Sequence, residues 1–293
     1  MTKKEHKSGY AAIIGKPNAG KSTLMNRILG SKISITTHKA QTTRHQIVGI
    51  FSDDDTQIIF LDTPGVITPK YELQRAMMNT VERARADADV ILFIYDPSDR
   101  HPTDEVIELL RSINKPILLV VNKVDSIDKN DAENKAAELS EKLKIRSVHY
   151  VSALRGDGIE ELMESIRSVI LPGPPFYPKE DLSEHPLRFF VSELIREQVF
   201  LQFHEEIPYS CTVDVIQYKE EEDIDRISAD IIVNRKSQKG MLIGKGGEAI
   251  KKLGIKSRES IEQFLGKQVF LELHVKVREK WREKENMVRS LGY

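Results

Sequence analysis

The chain has 293 residues, 40% hydrophobic and 30% charged, with a formal net charge of -1, the make-up of a globular protein long enough for two cored domains. A single cysteine, Cys211, excludes a disulfide-stapled scaffold and favours a reducing cytoplasm, and no apolar run approaches the ~20 residues that span a bilayer. The balanced total hides a dipole, because residues 179–230 carry 5 Lys and Arg against 14 Asp and Glu while 231–289 carry 15 against 7, so a polyanionic partner for the last quarter stays open.

The basic start, residues 1–7, is followed by no apolar h-region, and no secretory signal is expected. Strand-like apolar runs then fall at 10–15, 58–61, 90–95, 117–121 and 147–151. Helical patterns lie between most of them, which predicts an α/β domain with a doubly wound, mostly parallel sheet. Phosphate sites in such folds lie at the carboxyl ends of strands.

The first run ends in Gly15, Lys16, Pro17, Asn18, Ala19, Gly20, Lys21 and Ser22. This fits GxxxxGK[ST] between a strand and a helix, the context a phosphate loop requires. Backbone N–H groups of such a loop curl around a β-phosphate, aided by the helix N-terminus. Lys21 would supply a point charge, and the hydroxyl of Ser22, with Thr23 beside it, would hold Mg²⁺. Residues 31–44 are polar and aperiodic, the pattern of a switch loop, with either Thr42 or Thr43 as the group that closes onto Mg²⁺ and a γ-phosphate. His38 within that loop and His45 just after it take no assigned role.

Asp62, Thr63, Pro64 and Gly65 end the next apolar run, where Asp62 can serve Mg²⁺ and the Gly65 N–H can face the γ-phosphate. Asn122, Lys123, Val124 and Asp125 end another. A carboxylate there accepts from N1–H and the 2-amino group of guanine, donors that adenine lacks. Lys123 would pack over the base, and Asn122 would tie this loop to the phosphate loop. Ser152, Ala153 and Leu154 close the fifth run, with the Ala153 N–H placed to meet guanine O6. Four motifs in this order at four strand ends point to GTP and GDP as ligands.

Four prolines between residues 172 and 178 then interrupt all periodicity. The divisions expected are a nucleotide-binding domain over 1–172, a semi-rigid linker over 173–184 and a second domain over 185–293. The second domain reads as α-β-β-α-α-β-α, with an apolar helical stripe from Leu187 to Val199, strands near 211–215 and 227–233, and a helical stretch over 237–265 broken at 244–247. An alternating strand over 269–277 and a charged helix from Glu279 complete it. Ile243, Gly244, Lys245, Gly246 and Gly247 hold a GxxG turn. Between residues 235 and 258 there are 8 basic residues and one acidic, Glu248. Such a turn brings main chain close to a phosphodiester backbone, with Lys236, Lys239, Lys251 and Lys252 near the phosphates. The acidic run 220–223 reads as a solvated hairpin loop, Trp281 as an anchor for the last helix, and Cys211 as a small buried residue with no metal-ligand spacing around it.

The phosphate loop, the Gln41-Thr-Thr-Arg44 switch, DTPG, NKVD and SAL resemble the Era family of GTPases, and the GxxG module resembles a smaller α+β type II KH domain, so the likeness covers nearly the whole chain. The resemblance implies a GTPase with catalysis resting on Lys21, Thr42 or Thr43, and Gly65, and Mg²⁺ held by Ser22, Thr43 and Asp62. Val66 stands where Ras-like GTPases carry a water-orienting glutamine, which implies slow intrinsic hydrolysis and a bound K⁺ at Asn18. It further implies that the KH domain holds single-stranded RNA, the 3′ end of small-subunit ribosomal RNA, in assembly of the small ribosomal subunit by a monomer. The location implied is cytoplasmic, with weak peripheral association at the inner face of the cell membrane. A signalling GTPase whose basic second half binds anionic lipid is the alternative.

Overall fold

Strands that are apolar throughout can be buried on both faces only in the middle of a sheet, and this chain places its two wholly apolar strands, Val90–Tyr95 and Ile117–Val121, inside a sheet. The computed structural model describes residues 5–99 and 102–293; the first four residues of the basic N-terminus lie outside them. By the density of internal contacts the chain divides into two units. The first takes the described residues up to Ser34, Thr43–Pro69 and Met77–Glu184, and the second takes Ile35–Thr42, Lys70–Ala76 and His185–Tyr293.

The first unit runs β1 (Lys7–Gly15), α1 (Lys21–Leu29), β2 (Ile47–Ser52), β3 (Thr56–Asp62), then most of α2 (Glu72–Asp87), β4 (Val90–Tyr95), α3 (Asp104–Arg111), β5 (Ile117–Val121), α4 (Lys129–Lys142), β6 (Ile145–Tyr150) and α5 (Ile159–Val169). The sheet order is β2-β3-β1-β4-β5-β6. Only β2 is antiparallel to its neighbour. The five strands read from the sequence are present. β2 is an addition, an edge strand interrupted by Gly49, where a Cβ would lie 2.6 Å from Leu29 Cδ1.

The proline-rich segment is not a free spacer. Its backbone is bonded along the first unit, with Phe176 N–H and Tyr177 N–H donating to Gln57 Oε1 (2.6 and 3.0 Å) and Gln57 Nε2 donating to the Tyr177 carbonyl (2.9 Å). Ile50 N–H, on the edge strand β2, donates to the Leu182 carbonyl at 2.8 Å. An edge strand leaves such groups unpaired, and the segment supplies their partners.

The second unit contains α6 (Leu187–Gln202), α7 (Ile207–Ser210), β7 (Thr212–Lys219), β8 (Ile224–Val233), α8 (Lys236–Ile243), α9 (Glu248–Leu265), β9 (Gln268–Val277) and α10 (Glu285–Ser290). β8 is central, antiparallel to β7 and parallel to β9. Apolar positions of all three strands pack with α6 and α9 in one core. The charged helix expected from Glu279 begins six residues later. Lys280 takes a positive φ of 57°, and the fully buried Trp281 donates from Nε1 to the Ser210 carbonyl at 2.9 Å, so the chain turns there through a single 3₁₀ turn, Trp281–Glu283, and α-helix forms only at α10.

Candidate functional site

At the carboxyl end of β1 the loop 15–20 enters α1, whose first residue is Lys21. The Lys21 side chain is buried, and its ammonium donates to the carbonyls of Gly15 (3.2 Å) and Lys16 (2.7 Å). Burial pushes its pKa down to about 8, and Asp62 opposes that shift. Asp62 at the end of β3 moves the other way, because burial raises its carboxyl above the usual range while Ser22, Lys21, Ser34 and Thr43 hold it down.

Ser22 Oγ donates to Asp62 Oδ2 at 2.7 Å and lies 3.0 Å from Thr43 Oγ1. Asp62 Oδ1 is buried with no hydrogen-bond partner among the described residues. Two hydroxyls and an orphaned carboxylate oxygen form a hard, all-oxygen donor set, and they fit Mg²⁺. Thr42, the other switch candidate, has its hydroxyl engaged elsewhere, with Thr37 Oγ1 and the Lys39 carbonyl, each at 2.7 Å.

Gly65 lies against the phosphate loop. A Cβ there would sit 2.5 Å from Pro17 N and 2.6 Å from Pro17 Cγ, so no other residue permits this approach. Thr63 Oγ1 donates to the Ile13 carbonyl at 2.7 Å, and Val66 N–H donates to the Gly15 carbonyl at 3.1 Å. The valine side chain itself packs into the core. Pro64 is buried between them. Asn18 has a positive φ of 64° and, with Lys16, Pro17 and Ala19, lines a cavity of about 350 Å³.

The loops after β5 and β6 meet the phosphate loop through Asn122. Its Nδ2 donates to the Ala19 carbonyl at 2.9 Å, as expected of a tie between loops, and its Oδ1 accepts from Ala153 N–H at 3.0 Å. That N–H, assigned to guanine O6 from the sequence, is therefore already engaged, and a base would compete for it. Asp125 accepts from Ser152 Oγ at 2.6 Å, which together with the nearby cations holds its carboxyl below the usual range despite partial burial. Lys123, expected over a base, pairs with Asp96. Leu154 is exposed.

Three residues of this region were missed by sequence reasoning. Asn26 grips the start of the switch loop, its Oδ1 accepting from Ile33 N–H (2.9 Å) and Ser34 N–H (2.8 Å) and its Nδ2 donating to the Ser34 carbonyl (2.7 Å). Ser34 Oγ then donates to Asp62 Oδ2 at 2.9 Å. Arg27 donates from Nε to the Ala153 carbonyl at 3.2 Å and from Nη2 to the Leu154 carbonyl. The one available signal was that Asn26 and Arg27 lie four residues beyond Ser22 and Thr23, one turn along the same faces of α1.

In the second unit, α8 stops at Gly244 and α9 starts after Gly247. Gly246 and Gly247 have φ of 61° and 82°, with nothing within 4 Å of a Cβ built at either. Lys236, Lys239, Lys245, Lys251 and Lys252 are exposed around this turn, and Ile243 is half-buried at its start. Lys256 and Arg258 face Glu259 and Glu262 of their own helix. The turn thus presents open main chain ringed by positive charge.

These features define a class, a phosphate-loop GTPase joined to a KH module. A family model described as a 50S ribosome-binding GTPase matches residues 10–123, and a KH-domain model matches residues 206–282. The chain is 43% identical over 297 residues to the GTPase Era of Geotalea uraniireducens (strain Rf4), covering 100% of both. It is also similar, at 36% identity, to Aquifex aeolicus Era in a crystal structure with GDP and AlF4⁻ (TM-score 0.93; 98% of this chain and 99% of that one). A crystal structure of Era with MgGDPNP and nucleotides 1506–1542 of 16S ribosomal RNA matches at 36% identity and a TM-score of 0.94, over the same shares of the two chains. The chain belongs to the Era family of GTPases.

Proposed function

We propose that this GTPase is a switch that grips the single-stranded 3′ end of small-subunit ribosomal RNA through its KH module, acts in maturation of the small ribosomal subunit, and changes its grip when GTP is hydrolysed to GDP and phosphate. The observation that carries the switch is the approach of Thr43 Oγ1 to within 3.0 Å of Ser22 Oγ, beside the orphaned Asp62 oxygen. A residue of a mobile-type polar loop then shares one site with the phosphate loop. The related Era structure with a 16S fragment supports the choice of RNA.

Ser22, Thr43 and Asp62 would hold Mg²⁺, which when bound neutralises charge on the β- and γ-phosphate oxygens. Lys21 places its ammonium against the same charge, and the Gly65 N–H faces the γ-phosphate. Val66 cannot orient water, so positioning and charge stabilisation carry the reaction, and Asn18 is the residue that would hold a K⁺, which would supply added counter-charge. Asp125 selects guanine.

Two assays test this reading. Multiple-turnover phosphate release should be abolished by Lys21→Ala; a nucleotide that is only a structural ligand would give no turnover in the parent. Fluorescence anisotropy should show the intact protein binding a single-stranded oligonucleotide of the 16S 3′ end more tightly than phosphatidylglycerol vesicles. No helix among the described residues is long and apolar enough to cross a membrane, and preference for the vesicles would instead support a lipid-surface role.

A further inference from the structure

Helix α6 carries three charged residues where burial is most complete, Glu193, Arg196 and Glu197, at 4%, 1% and 2% exposure. Charges taken out of water cost several kcal/mol each unless they are paired and bonded. The spacing i, i+3, i+4 places all three on one face. That face belongs to the same compact unit as the loop segment Ile35–Thr42, and the loop is what these charges bind.

Arg196 pairs with Glu193 through Nε (2.8 Å to Oε1) and Nη2, and Nη2 also donates to the Thr42 carbonyl. Its guanidinium lies 5.4 Å from the centre of the Phe200 ring. Glu197 Oε1 accepts from Thr36 N–H at 3.1 Å. From the loop side, Lys39 donates to the carbonyls of Phe200 and Phe203 at the carboxyl end of α6, where a helix favours a cation. The loop is thus held at residues 36, 39 and 42. Two of these three contacts are to loop backbone, so α6 reads the conformation of the segment more than its side chains.

The next peptide leads to Thr43. We propose that Arg196, oriented by Glu193 and seconded by Glu197, is a positioning residue for the γ-phosphate switch: by fixing the Thr42 carbonyl it sets the 42–43 peptide so that the Thr43 hydroxyl stands at Ser22 and Asp62. The inference rests on the reading that Thr43 senses the γ-phosphate. It assigns the buried charges of α6 a role in discriminating GTP from GDP.

The ratio of affinities for GDPNP and GDP, in Mg²⁺, separates positioning from mere support of the fold, because a structural lesion weakens both nucleotides alike. Replacing the pair together, Glu193→Met with Arg196→Met, avoids leaving one charge buried alone. Lys39→Ala, on a half-buried loop residue, is the second variant should the first not fold. The ratio should fall about tenfold in the pair variant and in the same direction in Lys39→Ala, with GDP affinity unchanged and faster hydrogen exchange over residues 36–43. Thr43→Ala is the control for the underlying reading. If Thr43→Ala lowers the ratio and neither α6-directed variant does, the positioning role is overturned; if Thr43→Ala leaves the ratio intact, the assignment of Thr43 itself is overturned.

Discussion

The Lys21 ammonium sits inside the phosphate loop, bonded to the carbonyls of Gly15 and Lys16. The motif places it at the phosphate loop, but its depressed pKa of about 8, caused by burial, comes from the fold. A lysine whose pKa is lower in the folded than in the unfolded state binds fewer protons when folded. Stability therefore rises with pH between about 8 and 10.5 and is penalised below it. The penalty for nucleotide-free protein is on the order of 3 kcal/mol. Urea midpoints at pH 8 and pH 10 should rise for the parent and stay flatter for Lys21→Met; equal slopes would contradict the burial of a charged amine.

Asp125 offers a second test at this scale. Asp125→Asn should lower GTP affinity by about 30-fold or more, since a charge-assisted pair with two guanine donors is lost, and should raise preference for xanthine nucleotides. Competition binding with GTP and XTP reads both, and an unchanged preference would remove Asp125 from the base site. Asn26, Arg27 and Ser34 were not legible because their bonds are to backbone carbonyls and N–H groups brought near by folding, and no short motif marks that use.

At the scale of elements, the sequence announced the strands that are buried on both faces, since continuous apolar runs such as Ile117–Val121 admit little else. It concealed β2, whose Gly49 and polar flank imitate a loop, and it concealed the polar face of α6 because the apolar stripe around it sufficed to predict a helix. The proline-rich segment reads as a semi-rigid linker because prolines advertise stiffness, and they say nothing of its docking on the first unit. Gln57→Ala should cost about 2 kcal/mol through three lost backbone bonds, lowering the urea midpoint and speeding limited proteolysis between residues 173 and 184. Unaltered cleavage would contradict the role of Gln57 in fastening the segment.

The GxxG turn makes a separable prediction. Gly246 lies in the left-handed region with φ 61° and ψ 14°, which Asp tolerates better than most residues, and there is open space around it. Gly246→Asp should therefore fold, retain GTP hydrolysis, and lose RNA affinity at least tenfold through charge repulsion. Anisotropy with the 3′-end oligonucleotide measures the loss, and RNA binding at parental strength would displace the turn from the interface.

At the scale of the molecule, the net charge of -1 conceals an acidic stretch followed by a basic one, and the basic stretch coincides with the α8–α9 turn. Binding there should weaken steeply with salt, as counterion release requires. The chain's division places two short segments from the nucleotide-binding half, Ile35–Thr42 and Lys70–Ala76, in the same compact unit as the KH module. This was not legible in the sequence, where linker prolines mark a boundary only along the chain. The switch proposed above would run through the loop that bears Thr43.

Coupling of this kind is reciprocal, so RNA must tighten GTP binding by the factor by which GTP tightens RNA binding. The direct measurement is the dissociation constant of the intact protein for the single-stranded 3′-end oligonucleotide, taken at one salt concentration in saturating GDPNP and again in saturating GDP. The expected result is tighter binding with GDPNP by about tenfold, matched by an equal gain in GDPNP affinity, relative to GDP, when RNA is present. Equal RNA affinity in the two nucleotide states would contradict it.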